Sequence, residues 1–417
     1  LNGDGEADAY ENFNNDAHVT LNGHEYVTCL ETDRAGNFYY VKGNCNSQTP
    51  HDGSVLRVSK DGSKLDVFAT GFRNSNGIGM GPNDELTVAP QEGEWTPASA
   101  VFLVREGGFY GGMMSHHRKE APTDFERPLV WFPRLADNSS GGQVWTSSNQ
   151  WGPLSNQLLH LSYGQCRLRL VLRDSGQVPS MAINGASMEL PLRFLSGIHR
   201  GRMNPRDGQL YLTGLKGWTT SAVHDGCFQR VRYTGKSACV PIEMKGYKNG
   251  VSLTFTSELD PDAAEEISNF QLEGWNYKWS AAYGSPEYKP SAPGQIGRDE
   301  REIKSATLLK DRKTVFLELA EMLPIDQLSV GYTLLTATNK PIEQTVVMTF
   351  NAISKESFRE DELHRRSVDP ERTLVLASLV PGVLRKRTGA NDAGSILRLI
   401  AWNEEASKSG PMSTTIT

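Results

Sequence analysis

The stretch GRMNPRDGQLYLTG, residues 201–214, decides the fold. Leu210 and Leu212 alternate with Tyr211 and Thr213, the period-2 pattern of a half-buried strand. Asp207-Gly208 ahead of them is a tight-turn dipeptide, because glycine takes the positive φ that a short hairpin demands. The same unit of short β run, Asp- or Asn-containing turn and second β run recurs along the first half of the chain. It reads YVTCLETDRAGNFYYVKG at 26–43, SVLRVSKDGSKLDVFATG at 54–71 and GIGMGPNDELTVAP at 77–90. The units return at intervals of roughly 40–50 residues, the spacing of propeller blades.

About four blades are expected from this spacing: Gly23–Gly71, Phe72–Val130, Gly141–Leu190 and Pro191–Tyr233. The pattern changes after Cys239. GVSLTFTSELDPDAA (250–264), IKSATLLKDRKTVFLEL (303–319), LSVGYTLLTA (328–337) and EQTVVMTFNA (343–352) alternate as the strands of an Ig-like β-sandwich would. The expected layout is therefore all-β. A segment at 1–22 enters a propeller over 23–240, a sandwich covers 241–352, and a linker or partial C-terminal segment fills 353–417.

Bulk properties narrow the function classes. The 417 residues carry a net charge of -6, the reverse of the basic field of a nucleic-acid binder. No window approaches the ~18 uninterrupted apolar residues of a membrane span. The opening LNGDGEADAY shows neither the basic nor the apolar region of a signal peptide, and an excised or mature piece of a longer protein is expected. The 5 cysteines include no CxxC, so neither zinc-ribbon nor thioredoxin chemistry is indicated. Their spacing permits one or two disulfides, Cys29–Cys45 and Cys227–Cys239 being the nearest pairs.

Residues 2–11 fit the later positions of a calcium loop of the form D-x-[DN]-x-[DN]-G-x5-E. Asn2, Asp4, Glu6, Asp8 and Glu11 stand where oxygen ligands belong, and Gly5 stands at the sharp turn. A structural Ca2+ is the expectation this carries.

Four segments, in order, give the first half of the chain a family likeness. They are HDGSVLRVSKDG from His51, GFRNSNGIGMGP from Gly71, PQEGEWTPASAVFLVREGGFYG from Pro90 and HRGRMNPRDGQLYLTG from His199. Together, over roughly residues 24–235, they resemble the glucose/sorbosone dehydrogenase family of quinoproteins. Most of all the chain resembles the membrane-bound dehydrogenase domain proteins of planctomycete-type bacteria. That resemblance implies a β-propeller that belongs to a six-bladed ring. It also implies oxidation of a sugar or sugar aldehyde, with hydride passing to pyrroloquinoline quinone (PQQ). His51 would be the general base and Arg73 its catalytic companion, with Asn74, Arg200, Arg202 and Lys216 holding the cofactor. A haem-containing cytochrome module would accept the electrons, in a periplasmic or secreted setting. The chemistry is coherent, since PQQ has three carboxylates and arginine forks bind carboxylates bidentately. Two departures from the pattern stand out. Ser162–Gln165 replace a lysine, and Pro97 and Ala98 interrupt the acidic loop, leaving Glu92 and Glu94.

Two other readings stay open on the residues alone. One is a non-catalytic propeller that binds carbohydrate or protein, with Trp95 and Trp218 as sugar-subsite candidates. The other is a polysaccharide lyase or hydrolase using His51 with Tyr110 or Tyr163.

Overall fold

The computed structural model describes residues 2–27, 29–43, 49–174, 183–358, 397–402 and 412–414, the last two stretches by backbone alone. Alternating apolar side chains and glycine-punctuated turns build successive four-stranded antiparallel meanders. The first is β1 (Glu31–Thr32), β2 (Phe38–Lys42), β3 (Ser54–Val58) and β4 (Leu65–Thr70). The second is β5 (Gly77–Met80), β6 (Leu86–Ala89), β7 (Ser99–Val104) and β8 (Val130–Phe132). The third is β9 (Ser140–Trp145), β10 (Leu158–Ser162), β11 (Arg167–Arg173) and β12 (Gly185–Arg193). A fourth sheet begins with β13 (Gly197–Met203), β14 (Leu210–Leu215) and β15 (Gly226–Tyr233).

These are blades, and the first strand of each lies innermost. Glycines let those inner strands approach one another. A Cβ on Gly77 would stand 1.6 Å from the Gly141 carbonyl oxygen, and one on Gly79 would stand 2.5 Å from that of Gln143. Only a residue without a side chain fits there. The inner strands run parallel, so every blade sends its second-to-third connection, and the link to the next blade, to one end. That end is called the upper end below. First-to-second connections gather at the lower end.

The sandwich follows. One sheet orders β16 (Pro241–Tyr247), β17 (Gly250–Phe255), β21 (Thr314–Leu319) and β20 (Ile303–Leu308). The other contains β18 (Phe270–Trp275), β19 (Asp299–Glu300), β22 (Ile325–Leu335) and β23 (Pro341–Phe350). Phe255 meets Tyr332 edge to face at 5.4 Å across the two layers. A single α-helical turn, Pro261–Glu265, is capped by Asp260, which accepts the Ala263 N–H. No helix among the described residues is long and apolar enough to cross a membrane.

Two pairings cross the expected divisions. Ala186 of β12 stands opposite Met348 of β23, so the third blade and a sandwich sheet form one eight-stranded sheet. One apolar core runs with it, from Val144 and Leu170 through Met188 to Phe255, Val330 and Phe350. From the tail, β24 (Leu397–Trp402) pairs with β15, and β25 (Met412–Thr414) adds beyond it. The tail is therefore more than a linker. It supplies the outer strands of the fourth sheet, and the rest of 359–417 lies outside the described residues.

The disulfide expectation is corrected for one pair. Cys227 and Cys239 are free thiols. Cys227 is the second residue of β15, and Cys239 lies beyond its end, where its thiol donates to the Ser257 carbonyl. Cys45, the other partner proposed for Cys29, lies outside the described residues.

Candidate functional site

The upper end of the first two blades carries the most chemistry. Asp52 and Lys42 are buried there, with Lys42 Nζ 2.6 Å from Asp52 Oδ1 and also donating to Glu25. This buried cation between two carboxylates fixes the β2–β3 connection that presents His51. Glu25 belongs to the segment that enters the first blade. Upstream in that segment, His18 donates its backbone N–H to His51 Nδ1 at 3.0 Å, and the two rings meet at 4.8 Å. Burial, with His18 and Lys42 nearby, pushes the His51 imidazole below its ordinary value. His51 is therefore neutral at pH 7. Because Nδ1 accepts, the ring proton sits on Nε2.

The neighbouring connection, from β4 to β5, carries Arg73 and Asn74. It is tied to His51's loop by the Phe72 N–H, which donates to the Gly53 carbonyl at 2.9 Å. Arg73 gives Nε to Glu94 Oε2 at 2.9 Å and Nη1 to the Glu92 carbonyl at 2.8 Å. Asn74 is buried with φ at 40°, a left-handed conformation that asparagine tolerates better than most residues. Its Oδ1, and the Oγ of Ser75 beside it, are buried without a hydrogen-bond partner. Each such orphaned atom costs about 1–3 kcal/mol, which a ligand or bound water offsets.

The remaining cations belong to the fourth sheet. Arg202 pairs with Glu31 at 2.8 Å and donates to the Leu30 carbonyl, both on the first blade's inner strand or just before it. It lines a cavity of about 340 Å³ at the lower end, with Asp33, Asp84 and Trp145. Arg200 is half-buried on β13, the strand that also carries Arg202, and its Nη1 donates to the His199 carbonyl. Lys216 is exposed in the β14–β15 connection. The structure thus brings His51, Arg73 and Asn74 onto adjacent loops, with Arg200 and Arg202 on the fourth sheet's inner strand and Lys216 on that sheet's own upper connection.

That distribution bears on PQQ. Its three carboxylates call for cations converging on one place, but Arg73 is ion-paired at the upper end and Arg202 is ion-paired at the lower. The residues present do not fit the quinone as one cradle. The reason is local: Glu94 and Glu31 already occupy the two guanidinium forks. What the upper end does offer is a neutral imidazole, an amide and a hydroxyl, a donor set suited to a polyhydroxylated ligand.

Other candidates resolve clearly. Asn2 and Asp4 each accept a backbone N–H two residues on, from Asp4 and Glu6. Both are local turns within an exposed segment. Among the described residues no three His, Cys, Asp or Glu side chains group to hold a metal; the calcium-loop residues Asn2, Asp4, Glu6, Asp8 and Glu11 lie along one exposed segment. Tyr110 is buried, donates to the Leu103 carbonyl and is pushed up to about 12 by burial, which unsuits it as a catalytic acid. Tyr163 is likewise buried, its ring 5.2 Å from that of His199.

Sequence reasoning missed two contributions. His18 is one. The other is the long β18–β19 connection, residues 276–298, which leaves the sandwich and docks on the 92–97 loop. Trp95 N–H donates to the Ser280 carbonyl, Gly284 N–H to Gly93, and Ser285 N–H to Pro97, all within 3.0 Å. Trp279 Nε1 donates to the Gly111 carbonyl at 2.9 Å, and its ring meets Trp95 at 5.0 Å. Tyr283 then lies over Arg73, ring centroid to Cζ 4.9 Å.

No family model and no curated protein matches the chain. Among solved structures, the PQQ-bound form of aldose sugar dehydrogenase from Streptomyces coelicolor is similar over 46% of this chain and 57% of that one. The identity is 16% and the TM-score 0.31. The chain thus spans little more than half that structure's length.

Proposed function

We propose that this chain is a sugar-handling propeller of the glucose/sorbosone dehydrogenase type, with a sugar or sugar aldehyde held at the upper end between His51 and Asn74. The carrying observation is the Arg73–Asn74–Ser75 turn, where two buried polar atoms lack partners on the loop tied to the one that carries the neutral His51 imidazole. Hydroxyl groups satisfy an amide oxygen and a serine hydroxyl alike. The Nε2–H of His51 donates to a sugar oxygen, and Arg73, its charge balanced by Glu94, braces the turn rather than attracting an anion.

Oxidation of the bound sugar is the finer part of this reading. The chain would supply orientation and a base, and the hydride acceptor would be an added quinone or dye rather than one held jointly by Arg73 and Arg202. For His51 to serve as that base, its Nδ1 must be released by His18 or its Nε2 proton must leave. The second reading, a carbohydrate-binding propeller without catalysis, is favoured by the separation of Arg73 from Arg202.

Calorimetry over a panel of aldoses, followed by dye reduction with added PQQ and Ca2+, tests both. Binding with dye reduction supports the oxidoreductase. Binding without it leaves the carbohydrate-binding propeller, and no binding by any sugar overturns the proposal.

A further inference from the structure

We infer that Tyr283, delivered by the sandwich, is the stacking platform on which the sugar ring rests at the propeller's upper end. This rests on the reading just given and adds to it a specificity residue from outside the propeller.

The placement of Tyr283 is built rather than incidental. Residues 276–298 form an excursion inside what is otherwise a sandwich hairpin, and connections of that length are uncommon unless functional. Gly284 makes the turn that aims Tyr283. Its φ is 67°, a left-handed conformation that favours glycine, and a Cβ there would stand 2.4 Å from Glu92 Oε1, so a side chain would have to displace Glu92. Glu94 and Tyr283 form a β-bridge, and Trp279 anchors the excursion between Trp95 and Phe125. The result fixes one face of the Tyr283 ring over Arg73, the residue that precedes orphaned Asn74. Arg73 holds Glu94 at the same time, so the stack carries no net charge that would repel a neutral ligand.

Yet Tyr283 is 61% exposed. A large aromatic ring pinned on one side and bare on the other is what a pyranose needs, since its C–H face is apolar and its edge is hydroxylated. Aromatic walls with a few converging polar groups are the usual composition of such sites. Here Asn74 and Ser75 follow Arg73 in its loop, and His51 lies on the connection tied to that loop through the Phe72 N–H.

The rival platform is Trp218, which is 88% exposed on the fourth sheet's β14–β15 connection. The two are separated by measuring sugar affinity for the full chain and for Tyr283→Ala, Tyr283→Phe, Tyr283→Leu and Trp218→Ala. The expected result is binding weakened about tenfold or more by Tyr283→Ala and Tyr283→Leu, and changed little by Tyr283→Phe. Trp218→Ala should bind as the parent does. Thermal unfolding of each variant checks the fold, and Tyr283→Leu, which keeps side-chain bulk, serves if the alanine variant unfolds.

Undiminished affinity in both Tyr283→Ala and Tyr283→Leu overturns the inference, as does loss of binding in Trp218→Ala alone. If the parent binds no sugar, this inference and the proposed function fall together. If the parent binds, the Tyr283 variants do not and no dye is reduced, only the oxidation reading falls.

Discussion

His18 hydrogen-bonds to His51 through its backbone N–H, 3.0 Å from Nδ1, and its own ring lies against the ring it positions. A segment preceding the first blade therefore sets the tautomer of the residue singled out as the catalytic base. Two variants separate the backbone from the ring. His18→Ala keeps the N–H and removes the neighbouring imidazole. His18→Pro removes both. Nitrogen-15 spectra of the His51 ring should show the Nε2–H form in the parent and in His18→Ala, and a mixture of tautomers in His18→Pro. A parent ring protonated on Nδ1 would falsify the assignment.

The pH dependence follows from the direction of the His51 shift. Its folded value lies below its unfolded one, so the unfolded chain binds the proton more readily. The stabilising contribution is present above the unfolded value, near ~6.5, and fades as pH falls below it. His18→Ala removes one of the groups that lower it, so the midpoint should rise toward the ordinary value. Ring chemical shifts followed from pH 4 to 8 measure it, and an unmoved midpoint would show that His18 does not act on the charge.

Arg202 and Glu31 connect the fourth sheet's inner strand to the first blade's, and the pair explains why Arg202 is not free for a carboxylate ligand. Burial raises the Glu31 carboxyl even with Arg202 beside it. Arg202→Ala leaves that carboxylate poorly solvated and should cost about 1–3 kcal/mol. Glu31→Gln removes the charge that burial opposes, and should cost less. Denaturant melts of the two variants measure the difference. Equal losses would mean that packing, rather than the charge, holds the two strands together.

Asp137 and His160 form a different kind of pair, wholly buried, with Oδ2 2.7 Å from Nε2. Ser140 and Ser162 also donate to Asp137, at 2.7 and 2.6 Å. Gln143 joins His160 to Thr87 of the second blade, so the network ties two blades together. Its inaccessibility makes it structural. Burial works to raise the Asp137 carboxyl, but the hydrogen bonds from His160, Ser140 and Ser162 prevail and hold it below the ordinary range. Its stabilisation is present above the unfolded value near ~3.9 and is lost as pH falls through the folded one. Asp137→Asn should cost about 3–5 kcal/mol at pH 7, with the deficit shrinking in acid. A melt series at pH 3, 5 and 7 checks both parts.

The blades were legible because their signals are local. Asp61-Gly62 and Asp207-Gly208 turn hairpins whose strands lie a few residues away, and the alternation at Leu210–Thr213 needs no partner to be read. The motif HDG and the run GFRNSNG likewise placed His51, Arg73 and Asn74 on the upper loops. The chemistry of Arg200 and Arg202 was not legible in the same way, because a cation's role depends on which carboxylate folding brings to it. Glu31 and Glu94 are each about 20 residues or more from the arginine they neutralise. Pairing of β12 with β23 was also hidden, since period-2 alternation identifies a strand but not its neighbour. Tyr283 did leave a trace. WSAAYGSPEYKPSAPGQIG, residues 279–297, is a long aromatic and Gly/Ser/Pro-rich insertion inside a β hairpin.

The shared sheet makes a last prediction about the sandwich. Cutting the chain after Val240 would remove β23 from β12 and expose Ala186, Met188 and Leu190, which are fully buried in the common core. It would also strip Trp279 from between Trp95 and Phe125, uncovering the loop that holds Arg73. An unpaired edge strand backed by bare apolar surface is an aggregation site. Residues 1–240 alone should therefore be insoluble or bind a hydrophobic dye, whereas 1–358 should retain a cooperative melt for these sheets. A soluble 1–240 fragment with an unaltered His51 spectrum would show that the propeller stands without its neighbour. It would also confine the candidate site to the blades.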